Sequence, residues 1–284
     1  MHTPYDGSSK PFNIGLKPLE PADWLEMDEH YDVYISEKKR LFSERPTDVF
    51  VAEDDTLDAQ AEVLELIEAY LATSSPQRHA PLSEPSPAPL KTASLLVQED
   101  LVLMRRGDNG WRLAAASLCF PSSWSLAEKF GKPLTEIHEP VPQFGEGTRN
   151  AQLIERMFDN LQGQMVIRWN WSLQGDDGLY QPLSDSQRHV RAVERTPRFA
   201  EADPFIRVER QTLRKLPRSG DILFTIRIHL DPLKVLAQHP DRHSISAAFA
   251  EQLGQMDTAQ LEYKGLAADR DLLVARLNAI AHDR

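Results

Sequence analysis

The chain has 284 residues, 41% of them hydrophobic, which is enough for a full-sized core, and its single cysteine, Cys119, excludes a disulfide framework or a cysteine-rich metal site. The net charge of −11 is unevenly spread: residues 20–70 hold sixteen Asp or Glu against four Lys or Arg. Such a surface repels phosphate backbones and anionic lipids, so neither nucleic acid nor membrane is the expected partner.

The first residues lack a basic stretch followed by an apolar core, and no later run approaches the roughly 18 apolar residues of a membrane span. The expectation is a soluble, untargeted, cytoplasmic protein. Residues 17–29, KPLEPADWLEMDE, place Pro21 ahead of a helical pattern that buries Trp24, Leu25 and Met27. Helical character continues through Tyr31–Phe42, and Glu62–Leu71 repeats Val63, Leu64, Ile67 and Leu71 at amphipathic spacing. Five prolines between Thr73 and Thr92 then mark an extended loop.

Leu101–Arg106 and Trp111–Cys119 read as a strand pair joined by the turn residues Gly107 to Gly110. A mostly helical insert follows, ending in a helix over Asn150–Leu161 that Gly163 stops. Met165–Leu173, Phe205–Leu213 and Ile222–Leu230 are three more strands, with period-two alternation or β-branched enrichment. Ile245–Leu253 and Leu266–Ala281 are amphipathic helices. Two strands, a helical insert and three strands predict an α+β fold: a PAS-like five-stranded antiparallel sheet with the insert across one face, plus N- and C-terminal helical extensions. The divisions are 1–92 for the N-terminal extension and proline-rich loop, 93–230 for the core and 231–284 for the C-terminal extension.

Within the insert, His138 stands just before Pro140 and Pro142, which stiffen the backbone beside its imidazole. A lone histidine is more often structural than ligating, but haem needs only one protein ligand, an apolar slot and basic groups for its propionates. Cys119 is the competing axial ligand, although a small buried thiol at the end of an apolar strand is its ordinary role. Polar residues share strand faces: Arg168, Asn170 and Ser172; Arg207, Glu209 and Gln211; Thr225, Arg227 and His229. These faces meet either solvent or a ligand. No phosphate loop, GxGxxG or GxSxG is present.

Four blocks occur in one order: GLKPLEPADWLEMDEHY, SLCFPSSWSLAEKFGKPLTEIHEPVP, RWNWS and RVERQTLRKLPRSGDILFTIR. Through them the chain resembles the haem-dependent oxidative N-demethylase α-subunit-like family. The resemblance implies a PAS-like domain binding haem b, whose iron serves the O2-dependent demethylation of a small secondary amine such as dimethylamine. It also implies NADPH-fed reductase partners carrying FMN and a 2Fe-2S centre. It makes His138 the metal ligand and Glu209, Arg210, Gln211 and Arg227 candidates for the oxygen and substrate side; Trp124 and Arg210 are counted as candidate cofactor contacts, and so are Lys129 and Arg149, as substitutes for a propionate contact. One departure is Ser123, where the family pattern leads us to expect a basic residue that contacts a propionate. The alternative function is a haem-PAS gas or redox sensor, or a haem-binding protein without amine turnover.

Overall fold

The computed structural model describes residues 1–75, 86–194 and 196–283, so residues 76–85 of the proline-rich loop lie outside the described residues. The strands are β1 (Lys17–Leu19), β2 (Phe50–Ala52), β3 (Asp100–Gly107), β4 (Gly110–Ser117), β5 (Met165–Gln174), β6 (Phe205–Lys215) and β7 (Ile222–Pro232). They form one sheet in the order β1-β5-β6-β7-β3-β4-β2, with every pairing antiparallel. The helices are α1 (Tyr31–Glu44), α2 (Pro46–Val49), α3 (Leu57–Ser74), α4 (Pro89–Ser94), α5 (Leu126–Lys129), α6 (Leu134–Ile137), α7 (Arg149–Asn160), α8 (Asp185–Glu194), α9 (Arg242–Gln255), α10 (Thr258–Lys264) and α11 (Arg270–His282).

All five strands read from the sequence form, but the sheet has seven rather than five. The two additions, β1 and β2, come from the stretch expected to be helical and cap the edges beside β5 and β4. Each is three residues long, too short to show alternation. Their strand state comes from the unpaired edge they cover rather than from local pattern. For the same reason residues 17–29 are not a helix: one 3-10 turn, Pro21–Asp23, follows β1, and Trp24 and Leu25 still bury at 1% and 6% exposure. The β3–β4 hairpin closes at Gly107 opposite Gly110, whose φ of +98° suits a residue without a Cβ.

Strand alternation gives the sheet two different faces. On one, Val102, Met104, Leu113, Leu213 and Ile226 pack against Leu126 of α5, Leu134 of α6, and Ile154 and Phe158 of α7. On the other, Trp171, Ile206 and Val208 pack against Phe249 of α9 and Leu273 and Leu277 of α11, while Leu101, Leu103 and Leu223 pack against Val63, Ile67 and Leu71 of α3. The insert is therefore held over one face only.

Its entrance is fixed by buried charge. Asp100, at the start of β3, accepts the backbone N–H groups of Cys119 and Phe120 at 2.8 Å each. Burial raises its carboxyl to about 6. Nearby, the fully buried Lys38 ammonium donates to the carbonyls of Ser94 and Val97, both at 3.0 Å, which satisfies a charge that would otherwise be costly to bury. At the far end of the insert, Thr148 Oγ1 caps α7 by accepting from Ala151 N.

Candidate functional site

Between the insert and its sheet face lies a cavity of about 530 Å³, within the size range of small-molecule and cofactor sites. His138 is one of its walls. The residue follows α6, and both its backbone N–H and its ring Nδ1 reach the Leu134 carbonyl, at 3.0 and 2.9 Å. Its own carbonyl accepts from Val141 N at 2.8 Å, in the segment stiffened by Pro140 and Pro142. A carbonyl only accepts, so Nδ1 must carry the proton and Nε2 the lone pair. No described residue hydrogen-bonds that Nε2. Burial holds the imidazole near a pKa of about 4, against the ordinary 6.5, so the ring is neutral at physiological pH. A neutral imidazole with its second nitrogen tied to a carbonyl is the usual form of a metal-ligating histidine.

The remaining walls have two characters. One part is apolar, with Ile14, Met104, Leu118, Val141, Phe144 and Phe224 among its residues. The other is basic: six cations, Lys129, Arg168, Arg188, Arg191, Arg198 and Lys264, line the cavity with one carboxylate, Glu209. In a chain of net charge −11 this concentration needs a reason. Of the six, only Arg188 forms an ion pair among the described residues, with Asp185. The buried Nε atoms of Arg168 and Arg198 have no hydrogen-bond partner. Burial lowers both Lys129 and Lys264 to about 8 and Arg191 to about 10. Buried donors without acceptors mark a place where an anionic ligand would satisfy them.

Glu209 is held inside this basic surround by Gln211 Nε2 at 2.9 Å and Asn170 Nδ2 at 3.3 Å, with Arg207 Nε at 3.5 Å. Register explains the grouping: β5 Asn170 lies opposite β6 Glu209 and Arg168 opposite Gln211, so all four side chains project to one face. The donor set fits a haem. One imidazole nitrogen has no described hydrogen-bond partner in a partly apolar cavity, and five cations without an ion-pair partner among the described residues line the same cavity, where they would meet carboxylate groups.

Of the residues singled out in the sequence, His138, Trp124, Lys129, Glu209 and Gln211 line this cavity. Arg149 sits exposed in the first turn of α7 and is not part of the lining. Arg210 and Arg227 lie opposite one another on the other face of the sheet. There, Arg210 donates to the carbonyls of Trp24 and Asp23 and pairs with Glu26 at 3.1 Å, and Arg227 pairs with Asp28 at 2.5 Å. Period-two alternation separates Arg210 from Glu209 and Gln211, and Arg227 follows Arg210 by register. Cys119 is buried, its thiol pushed far up by burial, and it does not line the cavity.

Three basic wall residues not read from the sequence come from the stretch 188–198: Arg188, Arg191 and Arg198. The visible signal was a run of arginines, QRHVRAVERTPR, in an acidic chain. Two of them reach the position where a basic residue was expected: Arg188 donates to the Ser123 carbonyl at 2.6 Å and Arg191 to its Oγ at 3.4 Å. Tyr263 and Lys264 of α10 were also missed, because nothing local marks the end of a short surface helix as a cavity wall.

Residues 15–274 match the family described as haem-dependent oxidative N-demethylase, alpha subunit-like. The chain belongs to that family, and the matched span contains every cavity residue except Phe12 and Ile14.

Proposed function

From that membership and this cavity, we propose that the protein is the catalytic, haem-binding subunit of an oxidative N-demethylase acting on a small secondary amine such as dimethylamine. The carrying observation is the neutral His138 imidazole, Nδ1 locked on the Leu134 carbonyl and Nε2 unpartnered, in a cavity that is otherwise apolar or cationic. A PAS-like core is supported by the five long strands, which stand in the spatial order 2-1-5-4-3 when numbered along the chain from β3, with the insert across one face.

His138 Nε2 would hold the iron. Arg168, Arg191, Arg198, Lys129 and Lys264 would meet the carboxylates, with Arg188 and Arg191 filling the role left open at Ser123. Trp124, Phe144 and the aliphatic walls would pack against the macrocycle and keep water from it. Bound haem supplies the redox chemistry: overall, an N-methyl amine, one O2, a pair of electrons and a pair of protons give the shorter amine, formaldehyde and water. Glu209 is the one carboxylate among the lining residues, and Asn170 and Gln211 fix its oxygens, so it is suited to accept an N–H from a protonated dimethylamine and orient the methyl group. The electron pair comes from outside, because one buried cysteine cannot hold an iron–sulfur cluster. Flavin- and iron–sulfur-bearing partner subunits fed by NADPH fit that need.

The test is an absorption titration of haem-reconstituted protein with dimethylamine, followed by a formaldehyde assay with O2 and a reductant. A Soret band that shifts with amine, and formaldehyde formed in step with amine loss, are expected. A haem spectrum indifferent to amines and no formaldehyde would sink the enzyme reading in favour of a haem sensor.

A further inference from the structure

On the sheet face turned away from the cavity, three residues remote in sequence bring ligand atoms together. His2 Nε2 stands 3.2 Å, and His229 Nε2 3.1 Å, from one and the same oxygen of Glu26, Oε2. All three atoms lie within 4.8 Å of one another. Zinc takes imidazole nitrogen and carboxylate oxygen at about 2.0–2.1 Å in a tetrahedron, so neighbouring ligand atoms stand roughly 3.3 Å apart. Two of the three edges here are close to that length before any ion is placed.

We propose that His2, Glu26 and His229 form a binding site for a divalent transition metal of the zinc class, which ties the N-terminus to β7 on the side of the sheet opposite the haem cavity.

The surroundings favour this over an incidental cluster. His229 is carried by a long strand in register with β6, lying opposite Val208. Glu26 is oriented at two points: Arg210 Nε holds its other oxygen, Oε1, at 3.1 Å, and its backbone N–H donates to Glu99 Oε1 at 2.9 Å. Outer-shell partners of this kind aim a ligating carboxylate and leave the free oxygen for the ion. The His2 ring is placed by Trp169, with centroids 4.3 Å apart, and by His229 at 4.6 Å. Three protein ligands leave one corner of the tetrahedron for water. The consequence is mechanical: residues 2, 26 and 229 become one unit, and the N-terminal segment, whose Tyr5 stacks on Phe249 at 4.3 Å, is clamped between β7 and α9.

Untagged full-length protein, reconstituted with haem, is dialysed against Zn²⁺ and then against metal-free buffer, and zinc and iron are counted separately. One retained zinc per chain is expected, also in His138→Ala, whatever its haem content. The dissociation constant should rise about tenfold or more in Glu26→Gln and in His2→Ala. Because the His2 side chain is 36% exposed and belongs to no strand or helix, its variant keeps the test valid if changes at Glu26 or His229 impair folding. No zinc retained by the wild type, or equal retention by wild type and His2→Ala, overturns the proposal and leaves a carboxylate bridging two imidazole N–H groups. The zinc count is read independently of amine turnover, so its failure and that of the demethylase reading are separable.

Discussion

The two faces of the central sheet carry similar charged residues and use them in opposite ways. Away from the cavity, Arg210 is matched to Glu26 and Arg227 to Asp28, and Arg227 also lies over the Tyr34 ring at 4.3 Å. Facing the cavity, Arg168, Arg191, Arg198, Lys129 and Lys264 have no acidic partner within ion-pair distance among the described residues. A buried cation with its counter-charge in place holds the fold together; one without it costs stability and is kept where a ligand supplies the missing charge. The N-terminal segment that supplies Glu26 and Asp28 therefore acts as a built-in counter-charge for one face, while five cations lining the other face have no such partner among the described residues.

The sharpest way to break this comparison is to remove one residue from each face. His138→Ala should abolish histidine-ligated haem, seen as loss of its Soret and visible bands, and leave the urea-unfolding free energy of the haem-free protein within about 1 kcal/mol of wild type, because it removes a half-buried ring from a cavity wall. Asp28→Ala should do the reverse. It strands a guanidinium that is 1% exposed, at a cost of about 3 kcal/mol, the low end of the range for a broken buried pair because Asp28 itself is half-buried. A histidine variant that unfolds, or an aspartate variant of wild-type stability, would mean that the faces do not divide the work in this way.

A smaller effect separates ligand charge from fold charge within the cavity. Arg168→Gln should weaken haem binding roughly 10- to 100-fold, the worth of a charge-assisted hydrogen bond of about 1.5–3 kcal/mol, while the haem-free protein stays as stable or gains. The gain is expected because the Nε of Arg168 has no partner and burial already lowers its pKa. Equal loss of haem affinity and of stability would assign Arg168 to the framework instead.

The sequence carried much of this arrangement, for reasons that can be named. Long strands announce themselves by alternation, so the hydrogen-bonding trio of Asn170, Glu209 and Gln211 was legible as polar faces of β5 and β6. His138 stood out because Pro140 and Pro142 stiffen the backbone after it, and it does line the cavity, but its reading as a ligand came from the family resemblance and not from the residues around it. Facing is harder to read. Arg210 and Glu209 are neighbours in sequence but sit on opposite sides of β6, and only the register with β7 shows that Arg227 goes with Arg210. Edge strands β1 and β2, three residues each, have no pattern of their own, and the meeting of His2, Glu26 and His229 depends on how the N-terminal segment lies across the sheet.

The finest test of the comparison is pH. Burial sets Lys129 and Lys264 at about 8, below their ordinary 10.5. For the haem-free protein, the unfolded chain then binds more protons than the folded one between about 8 and 10.5, so these lysines make the fold more stable as pH rises through that window. Haem carboxylates need the charged form, so affinity should fall as pH rises above about 8. Stability and affinity thus change in opposite senses over the same interval, which no general loosening of the structure produces. Lys264→Met should flatten both slopes, and measuring haem affinity and urea midpoint in parallel from pH 7 to 10 reads the two together. Slopes of the same sign, or a Lys264→Met variant that titrates like the wild type, would return these lysines to the framework.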